Sequence, residues 1–187
     1  MPKLVELAKP YIPLLPPSAI RYLSKILGSD TRVLEMGSGA STLWFASRGC
    51  NVTSLEHDAG WARYIGKLAD QEGYDVDLRI VEKECFPRAV ADCDGAFDLV
   101  FLDCWSKIRA RCIQPAMAKV ESSSWLLVDD TQWVSLSSAF ALLDEWTSRD
   151  FFGVVNRNGD VISKQDVRML YPRVKVEITR CTFWQKP

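Results

Sequence analysis

The sequence predicts an α/β fold, a Rossmann-like doubly wound sheet that is mostly parallel, with helices on both faces and an antiparallel strand near the C-terminal end. Three observations carry this expectation. Short apolar runs alternate with helix-period segments through five or six units, the pattern of a parallel sheet covered on both sides. The runs Val33–Met36, Phe97–Asp103 and Trp125–Asp130 are apolar at successive positions, as strands buried on both faces are. The acids Glu35, Glu56, Asp103, Asp129 and Asp130 fall at or beside strand ends, where open α/β sheets bind ligands.

The bulk properties narrow the class further. A chain of 187 residues suits one domain spanning positions 1–187, with a proline-rich lead-in at 1–17 and a preceding helix at 18–28. With 48% hydrophobic residues, 25% charged residues and a formal net charge of −1, it has the balance of a soluble globular protein. No basic or amphipathic footprint points to nucleic acid or to a membrane, so the expected partner is a small molecule. Six scattered cysteines without a C-x-x-C pair, and a single histidine, argue against structural zinc and for reduced, mostly buried thiols. Prolines at 2, 10, 13, 16 and 17 interrupt every apolar run of the N-terminus, which reads as neither a signal peptide nor a span, and the expected compartment is the cytoplasm.

Taken in order, Ser18 is placed to cap a helix from Ala19 to Leu27 that stops at Gly28. Arg32–Met36 is the first strand, followed by a helix from Ser41 to Arg48. Asn51–Glu56 is the second strand, and Asp58 caps a helix whose Trp61, Tyr64, Ile65 and Leu68 form a core-facing stripe. Val76–Val81 is the third strand, with an irregular acidic stretch from Glu82 to Gly95. A fourth strand over Phe97–Asp103 leads to a helix from Ser106 to Ala118 bent by Pro115. A fifth strand at Trp125–Asp130 precedes a helix from Leu136 to Trp146 and a sixth strand from Phe151 to Val155. Asn158-Gly159 marks a turn. Val174, Val176 and Ile178 alternate with polar residues as a half-exposed antiparallel strand, an edge that offers pairing to another chain, with the oligomeric state left open.

The candidate site begins at Glu35-Met36-Gly37-Ser38-Gly39-Ala40-Ser41, a strand end, a tight turn and a helix start. Glycine pairs also serve ordinary turns, so the acids around the turn supply the chemistry. Glu56, at the end of the second strand, is placed to accept both hydroxyls of a ribose. Glu35, inside the first strand, needs a cationic or donor-rich partner if buried. It would repel a pyrophosphate and attract an ammonium group, which favours S-adenosylmethionine, a cofactor with a ribose, an adenine and an amino-acid tail but no phosphate.

Glu35-x-Gly37-x-Gly39-x-Ser41 resembles the glycine motif of class I S-adenosylmethionine-dependent methyltransferases, with Ser41 where many members have a third glycine. The resemblance spans roughly residues 18 to 184. It implies cofactor contacts at Glu35, Gly37, Ser38, Gly39, Ser41, Glu56 and His57, adenine contacts near Glu84 and Cys85, and a donor–acceptor meeting point at Asp103. The closing Thr182–Lys186 is similar to the family's last antiparallel strand. In part the chain also resembles catechol-type O-methyltransferases. That similarity implies Asp103, Asp129 and Asp130 as ligands of Mg²⁺ and Lys107 as the base, with Asp103, Lys107 and Asp130 as catalytic residues. Read without the resemblance, Asp129 and Asp130 are strand-end acids paired with Arg109 or Arg111, and no metal is the expectation. Methyl transfer requires an acceptor lone pair aligned with the methyl–sulfur bond and, where needed, removal of a proton. The expected function is methyl transfer to a small-molecule acceptor, with an O-methyltransferase as the form that the catechol-type resemblance implies. Its rivals are a module that binds the cofactor without turnover and a nicotinamide-dependent oxidoreductase.

Overall fold

The structure, a computed structural model, describes residues 7, 9–155, 161–162 and 177–187. Its strands are β1 (Arg32–Met36), β2 (Asn51–Glu56), β3 (Val76–Ile80), β4 (Phe97–Leu102), β5 (Val120–Val128), β6 (Thr147–Val155), β7 (Val161–Ile162) and β8 (Glu177–Gln185). They form one sheet in the order β3-β2-β1-β4-β5-β8-β6-β7. Pairing is parallel from β3 through β5, and β8 runs antiparallel to both β5 and β6. The order reverses between β1 and β4, so the carboxyl ends of those strands bound the crevice where such sheets bind ligands.

The central strands alternate cleanly between two cores. Val33, Leu99, Phe101 and Leu127 face one side, packed with Leu23 of α1 (Pro17–Ile26) and Phe45 of α2 (Ala40–Ala46). Leu34, Met36, Val100, Leu102, Leu126 and Val128 face the other, with Phe86 of α4 (Phe86–Ala91) and Ile108, Cys112 and Ile113 of α5 (Ser106–Lys119). Burial on both faces is why these strands read as continuous apolar runs. In a third, smaller cluster α3 (Ala59–Glu72) packs through Ile65 and Ala69 against Leu43 of α2, with Leu78 of β3 at the margin. Asp58 caps α3 by accepting from the N–H groups of Gly60 and Trp61, as expected, and Gly73 closes it in the left-handed conformation.

Several boundaries differ from the sequence expectation, each for a local reason. Helix α1 starts at Pro17 without a side-chain cap, so proline at the first helical position, rather than Ser18, opens it. Residues 82–95 are not irregular throughout: a short 3-10 turn at Lys83–Cys85 leads into α4, whose Phe86 and Val90 are buried. The helix expected from Leu136 to Trp146 is broken into 3-10 turns at Val134–Leu136 and Ala141–Leu143 around a short α6 (Ser137–Phe140). Serine-rich sequence competes with helix there, and β6 begins at Thr147, paired opposite Gln185. The expected free edge is also corrected, because Glu177, Ile178 and Thr179 pair within the chain to Val155, Val154 and Gly153. The Asn158-Gly159 turn and positions 174 and 176 lie outside the described residues. Among the described residues, no helix is long and apolar enough to cross a membrane.

Candidate functional site

Beyond the last residues of the strands, the ladder continues across the carboxyl edge. Gly37 N–H donates to Leu55 O, Val81 N–H to Glu56 O, Asp103 N–H to Met36 O and Asp129 N–H to Leu102 O. This brings the glycine turn, Glu56, Asp103 and Asp129 into one row. Gly37 has φ +96°, and a Cβ there would lie 2.7 Å from Asp103 O, so only glycine lets the β1 and β4 loops approach this closely. Around Gly39 a Cβ would meet no atom within 4 Å. Gly37 serves the fold, whereas Gly39 leaves open space over the turn.

Glu35 lies beneath that turn, fully buried on the α2 side of the sheet. Ser41 Oγ and Thr42 Oγ1 of α2 donate to its two oxygens at 2.5 Å, and Ser54 Oγ donates at 2.7 Å from the register position beside it on β2. Because the Ser54 proton is committed to Glu35, Ser38 Oγ is the donor in its 2.8 Å contact with Ser54. Thr42 Oγ1 also accepts from Gly39 N–H, so the network fastens both ends of the turn. Desolvation pushes the Glu35 carboxyl up to about 7 against the pull of these hydroxyls. Hydroxyls thus fill the role that the sequence reading gave to a cofactor ammonium. Ser41, itself buried, bonds inward to Glu35 rather than lying open to a ligand.

Glu56 is also buried, and it stitches the turn to β2. Its Oε2 accepts from Ser38 N–H at 3.0 Å, while Oε1 accepts from the N–H groups of His57 and Asp58 and lies 2.8 Å from His57 Nδ1. Half of this carboxylate is saturated, and Oε2 carries a single bond. Trp61 Nε1 donates to Ser38 O at 2.7 Å and closes the turn from the α3 side.

A second cluster forms at the ends of β4 and β5. Asp103, Asp129 and Asp130 each bring a carboxylate oxygen within 4.8 Å of the others. Arg109 reaches into them from the first turns of α5, its side chain 5% exposed. It donates from Nη2 to Asp103 Oδ1 at 3.0 Å, from Nη1 to Asp129 O at 2.7 Å and Asp130 Oδ2 at 3.3 Å, and from Nε to Cys104 O at 2.9 Å. Burial pushes Asp103 up to about 6 despite Arg109. Asp129, whose Oδ1 is buried without a hydrogen-bond partner, is held well above the ordinary range by desolvation and by its acidic neighbours. Asp130 adopts φ 55°, a left-handed conformation that aspartate tolerates better than most residues.

No family model matches the chain, and no curated protein matches it in sequence. Solved structures do match in fold. A precorrin-6y C5,15-methyltransferase from Geobacter metallireducens GS-15 aligns with TM-score 0.67 at 16% identity, covering 97% of this chain and 94% of that one. An O-methyltransferase from Bacillus cereus in complex with S-adenosylhomocysteine aligns at 0.63 and 14%, covering 92% and 82%. The O-methyltransferase TomG from Streptomyces achromogenes, in complex with S-adenosylmethionine, aligns at 0.62 and 13%, covering 89% and 78%. The chain has the class I S-adenosylmethionine-dependent methyltransferase fold.

Within this methyltransferase fold, the glycine turn and Glu56 stand together on the β1–β2 side of the crevice and the acids on the β4–β5 side. Other expected residues are elsewhere. Lys107 is exposed on α5, with Nζ 5.2 Å from the ring centre of Trp105, rather than joined to the acids, so the arrangement does not support it as a base. Glu84 and Cys85 are exposed in the turn before Phe86, and it is Phe86 whose ring approaches His57, at 6.4 Å between centroids. Arg111 is exposed, and Arg109 alone of the two helix arginines takes the acids. The three carboxylates have the donor chemistry of a hard-cation site. As arranged they do not fit a divalent ion, because the Arg109 guanidinium already lies among them, bonded to Asp103 and Asp130.

Thr42, Ser54 and Trp61 were not among the expected site residues, and Arg109 was expected only as one of two possible partners of the strand-end acids. Ser54 had a legible signal, a hydroxyl inside an otherwise apolar strand beside the strand that carries Glu35. Trp61 had none, because its place in an i, i+3, i+4 stripe reads as core.

Proposed function

We propose that the chain binds S-adenosylmethionine over the glycine turn and transfers its methyl group to a small-molecule acceptor at the ends of β4 and β5. The observation that carries this reading is the open space at Gly39 beside Glu56, at the crevice between β1 and β4 where the strand order reverses. Glu56 Oε2 has acceptor capacity left for a ribose hydroxyl. The turn Gly37–Ser41 presents no cationic side chain for a pyrophosphate, which disfavours a dinucleotide. The exposed rings of Trp105 and Trp133 follow β4 and β5 and offer apolar walls for an acceptor. The proposed partners are therefore the cofactor and a small acceptor, with neither nucleic acid nor membrane.

Binding without transfer is a second reading, favoured by one observation: Arg109 engages Asp103 and Asp130, and Lys107 points to Trp105, so the described residues present no unpaired lysine or histidine at the acids. A thermal-stability panel separates the cofactor classes. S-adenosylmethionine and S-adenosylhomocysteine are expected to raise the melting temperature and NADH and NADPH to leave it unchanged, whereas selective stabilisation by a nicotinamide overturns the proposal. Label transfer from methyl-labelled S-adenosylmethionine to a panel of hydroxyl and amine acceptors then distinguishes an enzyme from a binding module.

A further inference from the structure

The acids at the ends of β4 and β5 enclose a cation that belongs to the protein. Arg109 is the third residue after Ser106 at the start of α5, and its side chain turns back across the crevice edge instead of reaching solvent. Four of its hydrogen bonds converge from different segments: Cys104 O and Asp103 Oδ1 after β4, and Asp129 O and Asp130 Oδ2 after β5. Two of the acceptors are backbone carbonyls, so Arg109 ties the two loops together as well as neutralising charge. A planar guanidinium with five fixed donors suits four acceptors spread over two loops, and it does not lose its charge at any accessible pH. An ammonium on Lys107 could not replace this fork geometry.

We propose that Arg109 is a built-in substitute for a divalent ion, a positioning residue that excludes metal from the Asp103–Asp129–Asp130 cluster and makes any methyl transfer there metal-independent. An entering ion would have to separate Arg109 from Asp103 and Asp130 and sit against a buried positive charge. It would also free two carbonyls that Arg109 now satisfies. One consequence concerns the acceptor, and it rests on the methyltransferase reading above. A neighbouring pair of oxygens that relies on chelation has no ion to bind, so the site suits an acceptor with a single nucleophilic hydroxyl or amine placed by hydrogen bonds and ring contacts.

The test is a Mn²⁺ titration of the full chain followed by electron paramagnetic resonance, in the wild type and in Arg109→Gln, with circular dichroism as a fold control. The wild type is expected to show no saturable binding, and folded Arg109→Gln to gain at least about tenfold in Mn²⁺ affinity as the acids lose their internal cation. One-to-one Mn²⁺ binding by the wild type overturns the proposal, as does folded Arg109→Gln with no gain. Should Arg109→Gln fail to fold, the wild-type titration decides by itself. Calorimetry with S-adenosylhomocysteine on the same sample tests the methyltransferase reading separately, since the metal result stands whether or not that ligand binds.

Discussion

The two sides of the crevice solve the same problem, carboxylates held at the edge of a buried sheet, by opposite means. Beneath the glycine turn, Glu35 is surrounded by the hydroxyls of Ser41, Thr42 and Ser54, with no cation among its hydrogen-bond partners. At β4 and β5, one guanidinium binds the carboxylates of Asp103 and Asp130 and the backbone carbonyl of Asp129. Hydroxyl donors build a rigid, nearly neutral floor, which suits a turn that must keep one shape. Charge pairing leaves a more polar and pH-responsive wall, which suits the side where an acceptor would be oriented.

Gly37 joins the two sides, and replacing it gives the largest expected effect. Gly37→Ala places a Cβ against the Asp103 carbonyl at a positive φ and should cost about 4 kcal/mol, read as a shift in the urea midpoint. Next comes Arg109→Met, which strands the acids without a cation. It should destabilise by about 3 kcal/mol at pH 8, toward the lower end for a buried pair because Asp103 is 37% exposed. The loss should be smaller at pH 5 than at pH 8, because Asp103, held up to about 6, is mostly protonated there, and a pH-independent loss would show that Arg109 acts through packing alone.

Glu35 should show a dependence of its own. Below pH 4.5 it is protonated in both folded and unfolded chains, and from there to about 7 only the folded chain keeps the proton. Its contribution to stability is therefore complete at low pH and declines as pH rises to about 7, by roughly 3 kcal/mol in total. In Glu35→Gln that part of the pH profile should flatten, and an unchanged slope would assign it to other groups. The smallest effect belongs to Trp61→Phe, which removes the hydrogen bond to Ser38 O and should cost about 1 kcal/mol while loosening the turn.

The sheet was legible because its strands are apolar on both parities and their ends carry acids, so β2 and the Asp58 cap appear where expected. The helix after β5 was not legible: its apolar residues recur at helical spacing, but serines and the early start of β6 break it. At the site, Glu56 and the turn were placed by type and spacing. The partners of Glu35 were not, because whether a buried acid meets an ammonium or three hydroxyls depends on which face of β1 it occupies. Arg109 was legible as one of two candidates for pairing, and burial of one face of α5 chose between it and Arg111.

The central claim is that the turn from β1 to α2, with Glu56, receives S-adenosylmethionine. Isothermal calorimetry of the folded chain with S-adenosylhomocysteine tests it most directly. The account predicts saturable binding of one ligand per chain, and a folded protein that gives no binding heat at any temperature examined would contradict it.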